Sequence, residues 1–150
     1  MNLTRHFTLE EFTRSEKAAE HGIDNTPPPE IFPNLRVTAF GMECLRALNG
    51  DTPLHITSGY RCPPLNALVS KSKHSAHLDG YAADFHDRSQ PIATLAVTLS
   101  AKVVKARLPF DQFILEEERG IIHVSFDPAD RHEFLTQTAG GYIHGIHPKG

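Results

Sequence analysis

Ser75-Ala76-His77-Leu78-Asp79-Gly80-Tyr81-Ala82-Ala83-Asp84 is the stretch on which the reading of this chain turns. It has the form S-x-H-x-x-G-x-A-x-D and sets an imidazole and a carboxylate seven positions apart. Gly80 lets the chain turn back between them, and Ala82 and Ala83 leave room beside an ion. A catalytic zinc site uses three protein ligands, with nitrogen and carboxylate donors acceptable, and keeps one position open. His77 and Asp84 supply two such donors. His123, inside the apolar run Ile121-Ile122-His123-Val124-Ser125-Phe126, is the candidate for the third. Taken singly, His77 reads as a surface-loop histidine, Asp84 as a turn former and His123 as a hydrogen-bonded core histidine. An aspartate among Tyr81, Ala82, Ala83 and Phe85, however, carries a costly buried charge unless something answers it.

Working outward, Ser70 to Asp79 is polar and reads as loop, and Tyr81 to His86 as a strand. Upstream, Leu54 to Thr57 is a short strand, Ser58-Gly59-Tyr60-Arg61 turns out of it, and Pro63-Pro64 opens a short helix through Val69. Pro33 to Leu48 keeps helical spacing through Leu35, Ala39, Met42, Leu45 and Leu48, and stops at Asn49-Gly50. Thr8 and Glu11 fit a capping box for a first short helix carrying Leu9 and Phe12. Asp24 to Pro29 is a rigid connector. Downstream, Pro91 to Ala106 is the longest apolar-striped helix, with Ile92, Leu95, Leu99 and Val103 in register. Gln112–Glu116 and Ile121–Phe126 are two strands joined by a tight turn. The tail predicts a short helix near Arg131–Leu135 and a loosened segment after Gly140-Gly141. Helices with short antiparallel strands make this an α+β chain, one domain over 1–150, with the tail from about 137 the least patterned.

The hairpin makes a geometric claim. A two-residue turn at Glu118-Arg119 sets Glu117 opposite Gly120, Glu116 opposite Ile121 and Ile114 opposite His123. Side chains alternate, so Glu116 projects from the same face as His123. A carboxylate beside a metal-activated water is what a general base needs. Glu118 shares that face from the turn and stays an alternative base, whereas Glu117 points away. Arg61, at a strand exit, suits a substrate carboxylate or an oxyanion. His86 has the parity of Asp84 and is a reserve ligand. His74 flanks the motif. The other histidines have no comparable context, and with ten in the chain a histidine alone means little.

Composition mainly excludes. The 150 residues carry a net charge of -3 and a sequence pI near 6.3, which gives no basic face for nucleic acid. No apolar run approaches the roughly 20 residues that cross a bilayer. The first residues lack the apolar stretch of a secretory signal, so the expectation is a protein made in the cytoplasm. In that compartment Cys44 and Cys62 are expected as free thiols.

Several blocks together resemble the zinc D-Ala-D-Ala carboxypeptidase-like peptidases, in the small branch found among bacteriophage lysis and tail proteins. They are Asn2 to Phe12, Ile56-Thr57-Ser58-Gly59-Tyr60-Arg61 with Leu65-Asn66, Ser75 to Asp84, and Ile122 to Phe126. The resemblance reaches to about Phe134. It implies a hedgehog/D-Ala-D-Ala peptidase-like fold, a small antiparallel sheet carrying one Zn2+ held by His77, Asp84 and His123. It implies Arg61 near the substrate, with Tyr60 and Ser75 as further substrate contacts. Some members place the catalytic acid three residues before the last ligand, where this chain has Gly120. Glu116 resembles the acid ending the preceding strand in the phage-type branch. His74 and Ile122 also depart from the usual pattern. The implied activity is cleavage of peptidoglycan stem peptides by a monomer, after release to the cell wall or from a virion. The rival readings are an inactive zinc-binding module, a zinc amidase acting on the glycan–peptide bond, and a structural tail or interaction module.

Overall fold

The computed structural model describes residues 1–149. Among these residues five α-helices and six strands run in the order α1 (Leu9–Thr13), α2 (Glu16–Glu20), α3 (Phe32–Leu48), β1 (His55–Ser58), α4 (Pro63–Val69), β2 (Ala82–His86), α5 (Ile92–Ala106), β3 (Gln112–Glu116), β4 (Ile121–Ser125), β5 (Glu133–Thr138) and β6 (Gly141–His144). The sheet order is β1-β2-β4-β3-β5-β6. Every pair is antiparallel except β3 with β5, which is parallel. The α+β class stands, and the sheet is mixed rather than wholly antiparallel.

The pleat divides the sheet into two unlike faces. Ala83, Phe85, Phe113, Leu115, Ile122 and Val124 point to one side and join a contiguous core with Leu35, Met42 and Leu45 of α3 and Leu95, Leu99 and Val103 of α5. Burying each large side chain there stabilises the fold by about 1.5–3 kcal/mol. The opposite parity carries Asp84, His123 and Ile114 in paired register. That face is free of helices α3 and α5 and forms the wall of a cleft. No helix among the described residues is long and apolar enough to cross a membrane.

The structure bears out some expectations and corrects others. The first turn forms with its full capping box between Thr8 and Glu11. The segment expected as loop to Asp79 ends in a 3₁₀ turn, Ala76–Asp79, capped by the Ser75 hydroxyl, which accepts from His77 N–H at 3.3 Å. The short helix expected near Arg131–Leu135 is instead β5. Arg131 is pinned to the buried Asp111 by two side-chain hydrogen bonds of 2.8 Å. Glu133 N–H then donates to Asp111 C=O, which starts the parallel ladder. The segment expected to loosen after Gly140 is β6, paired back onto β5. Cys44 and Cys62 are free.

Candidate metal centre and cleft

Three separate elements are held around one point. His77 comes from the 3₁₀ turn, Asp84 from the middle of β2 and His123 from β4 directly opposite Asp84. Gly80 follows the turn at φ +77°, and a Cβ there would stand 2.8 Å from Ile31, so a glycine is required. Helix α3 fixes this bend from outside, with Asn34 Nδ2 donating to Asp79 C=O at 2.8 Å and Thr38 Oγ1 to Gly80 C=O at 2.7 Å. The Ser58–Arg61 turn clamps His77 from the other side. Arg61 N–H donates to His77 C=O at 3.1 Å, and the His77 ring meets Gly59 C=O at 2.6 Å. Gly59 lies against Phe12, whose carbonyl oxygen would be 2.6 Å from an added Cβ.

The donor atoms of His77, Asp84 and His123 all lie within 4.8 Å of one another. Asp84 Oδ1 is 3.2 Å from His77 Nε2 and 2.9 Å from His123 Nδ1. A tetrahedral ion about 2.0–2.1 Å from each ligand sets donors roughly 3.3 Å apart. Hydrogen-bond chemistry makes the same case. Gly59 O can only accept, so His77 Nδ1 carries the proton and Nε2 presents its lone pair toward Asp84, the usual second-shell arrangement of a metal-bound histidine. Burial holds the His77 imidazolium below the ordinary histidine range, against the pull of Asp84. A neutral imidazole lone pair facing a carboxylate oxygen needs a cation between them. Asp84 is fully buried, and its Oδ2 makes no hydrogen bond. The residues present therefore fit a divalent ion that takes nitrogen and oxygen ligands.

Glu116 ends β3 opposite Ile121, and Ile114 stands opposite His123, as the hairpin parity requires. Gly120 N–H closes the turn onto Glu117 C=O at 3.0 Å. Glu116 lines the same cleft as the three ligands, with a volume of about 820 Å³. His123 was expected to be buried, yet its side chain keeps 14% exposure because it alternates away from the helix-covered face. His74 and Ser75 sit in the cleft wall. Tyr60 does not, since it lines a second cavity on the far side of Arg61. His86 is not part of the cluster, and its ring packs against His55 at 5.0 Å. Glu118 reaches Lys149 at 3.5 Å and does not line the cleft.

Arg61 is 8% exposed and tied into the wall, with Nε donating to Ser58 Oγ at 3.3 Å and Nη1 to Asn66 Oδ1 at 3.1 Å. Its Nη2 is 3.8 Å from Asp84 Oδ2. Two residues of this neighbourhood escaped sequence reasoning. Arg119, in the turn, donates to Glu116 Oε1 at 2.9 Å and stands 3.5 Å from Asp84 Oδ2. Its signal was its place three residues after Glu116 in a tight turn. Asn25 is buried, donates to Thr13 and Tyr60 carbonyls and accepts from Cys62 N–H at 2.8 Å. Nothing local marked it out, because its partners lie on three other segments.

Two imidazoles and a carboxylate that could hold a metal ion thus stand beside a second carboxylate in an open polar cleft. Residues 5–125 match the peptidase M15 family, and the chain belongs to it. The matched span contains Arg61, His77, Asp84, Glu116 and His123 and ends at the last residue of β4. A 63-residue stretch is 33% identical to a zinc D-Ala-D-Ala carboxypeptidase of Streptomyces albus G. That stretch is 42% of this chain and 25% of the relative's length.

Proposed function

We propose that the protein is a zinc peptidase that cuts peptide bonds of bacterial peptidoglycan at or near D-amino acids. The observation that carries this is the His77–Asp84–His123 cluster with Glu116 in the same cleft. Membership of the M15 family and the likeness to a zinc D-Ala-D-Ala carboxypeptidase support it. His77 Nε2, Asp84 Oδ1 and His123 Nδ1 would hold one zinc. Bound there, zinc supplies Lewis-acid polarisation of a scissile carbonyl and lowers the pKa of an attacking water toward about 7.

The chain's own groups do the rest. Gly59 C=O fixes the His77 tautomer, so that Nε2 stays a donor of its lone pair. Glu116 accepts the proton of the attacking water and returns it to the leaving amine. Arg119 holds that carboxylate on one oxygen and leaves the other for the proton. Arg61 keeps a positive charge in the cleft wall, where it favours a substrate carboxylate or a developing oxyanion. The phage-type setting, with action on the cell wall after release or from a virion, belongs to the same proposal.

A second reading keeps the metal without catalysis, and it rests on Gly120 standing where some relatives have their acid. Mass spectrometry of purified peptidoglycan after incubation separates the two. The proposal expects new peptide termini from zinc-loaded protein, none after chelation, recovery on adding zinc, and almost none from Glu116→Gln. Intact stem peptides under every condition would favour the inert module. Release of whole stem peptides from the glycan would make it an amidase.

A further inference from the structure

The metal cleft does not end at Arg61 and Arg119. A second cavity of about 460 Å³ adjoins it, and these two arginines line both. Arg14 from the end of α1 and Lys17 from α2 line its outer part. Thr57 and Ser58 line its floor, and Thr57 Oγ1 donates to the backbone carbonyl of Asp84 at 3.3 Å. The floor is thus built on the backbone of the central ligand.

The charge of this cavity is opposite to that of the chain. The protein carries net -3, yet the cavity has four cationic side chains and one carboxylate, Glu16. Arg61 and Arg119 are partly answered by Asp84 and Glu116. Arg14 and Lys17 are exposed and have no ion-pair partner among the described residues. A divalent cation bound by His77, Asp84 and His123 would add to the positive field. A cleft lined by one sign of charge concentrates ligands of the other.

Resting on the peptidase reading, we propose that this cavity is a subsite for a carboxylate that the substrate peptide carries two residues before the scissile bond, with Arg14 and Lys17 as the residues that select it. Arg61 is committed to Ser58 and Asn66, so discrimination between an acidic and an amidated peptide falls to the two free cations.

The test is calorimetric binding on zinc-loaded Glu116→Gln protein, which keeps turnover out of the measurement. The probes are two acetylated D-Ala-D-Ala-terminated peptides, identical except that one has a free carboxylate and the other a primary amide two residues before the scissile bond. The acid should bind roughly five- to tenfold tighter at low salt, and the margin should shrink at high salt. Arg14→Glu with Lys17→Glu should abolish that margin while leaving amide binding within about twofold. Both positions are exposed, so a melting curve checks that the fold survives. Equal affinity for the two peptides, or a variant that weakens both alike, would overturn the subsite. Because binding is read without cleavage, an inactive wild type would count against the peptidase reading and not against this one.

Discussion

Asp84 brings a negative charge to a position with no exposed surface, and three kinds of neighbour answer it. Two histidines bracket Oδ1, two arginines approach Oδ2 without bonding it, and the proposed zinc would complete the set. The arginines have different tasks. Arg61 is a wall residue whose hydrogen bonds are made, so Arg61→Lys should lower stability by about 1–3 kcal/mol as well as activity, with zinc content unchanged. Denaturant unfolding beside metal analysis would check that. Arg119 is half exposed, and such ion pairs contribute at most about 1 kcal/mol. Arg119→Ala should therefore barely move the melting temperature. It should cut kcat roughly ten- to a hundredfold, because Glu116 loses its orientation. Steady-state kinetics beside a melting curve would show whether the two effects separate. At this scale the clustering of the candidate ligands and the placing of Glu116 were legible, since a seven-residue spacing relates His77 to Asp84 and a period-two hairpin relates Glu116 to His123. Arg119 and Asn25 were not, because a long side chain in a turn and an amide bridging distant segments choose partners only once the fold exists.

Strand β5 is held by one ion pair as much as by its ladder. Asp111 is almost fully buried and accepts from Arg131 at three points, its backbone N–H included. Arg131's hydrogen bonds hold the Asp111 carboxyl below its ordinary range, and burial only partly opposes them. A carboxyl depressed in the folded state stabilises the fold fully above its unfolded pKa of about 3.9, and that contribution is lost as pH falls through the lower native value. Asp111→Asn should cost about 1.5–3 kcal/mol at pH 7, and the gap from wild type should close as pH falls below about 4. Unfolding curves at pH 7, 4 and 3 would measure it. This pair also explains why the tail was misread as helix. The local pattern of Arg131–Leu135 holds no trace of Asp111, twenty positions upstream, whose bond converts the segment to a strand. The register of the β3–β4 hairpin, by contrast, was legible, because it depends on its own turn, and only the expected strand end at Phe126 falls one residue past β4.

Across the whole molecule, helices cover one face of the sheet and chemistry occupies the other. That division follows from alternation within each strand, which is why the α+β class and the site's location could be read before the topology. The parallel β3–β5 pairing could not, since it depends on a long-range contact. A metal that binds the folded state alone stabilises it by about 2.7 kcal/mol at a hundred times its Kd. Zinc should therefore raise the melting temperature of wild type, and a chelator should reverse the rise. A His77→Ala, His123→Ala double variant should show neither effect. The central claim is that one zinc sits between these three side chains, and anomalous diffraction at the zinc edge from crystals of the zinc-loaded protein tests it most directly. The account predicts one strong peak about 2.0–2.1 Å from His77 Nε2, Asp84 Oδ1 and His123 Nδ1. A peak at Cys62 or on surface histidines, with none between Asp84 and the two rings, would contradict it.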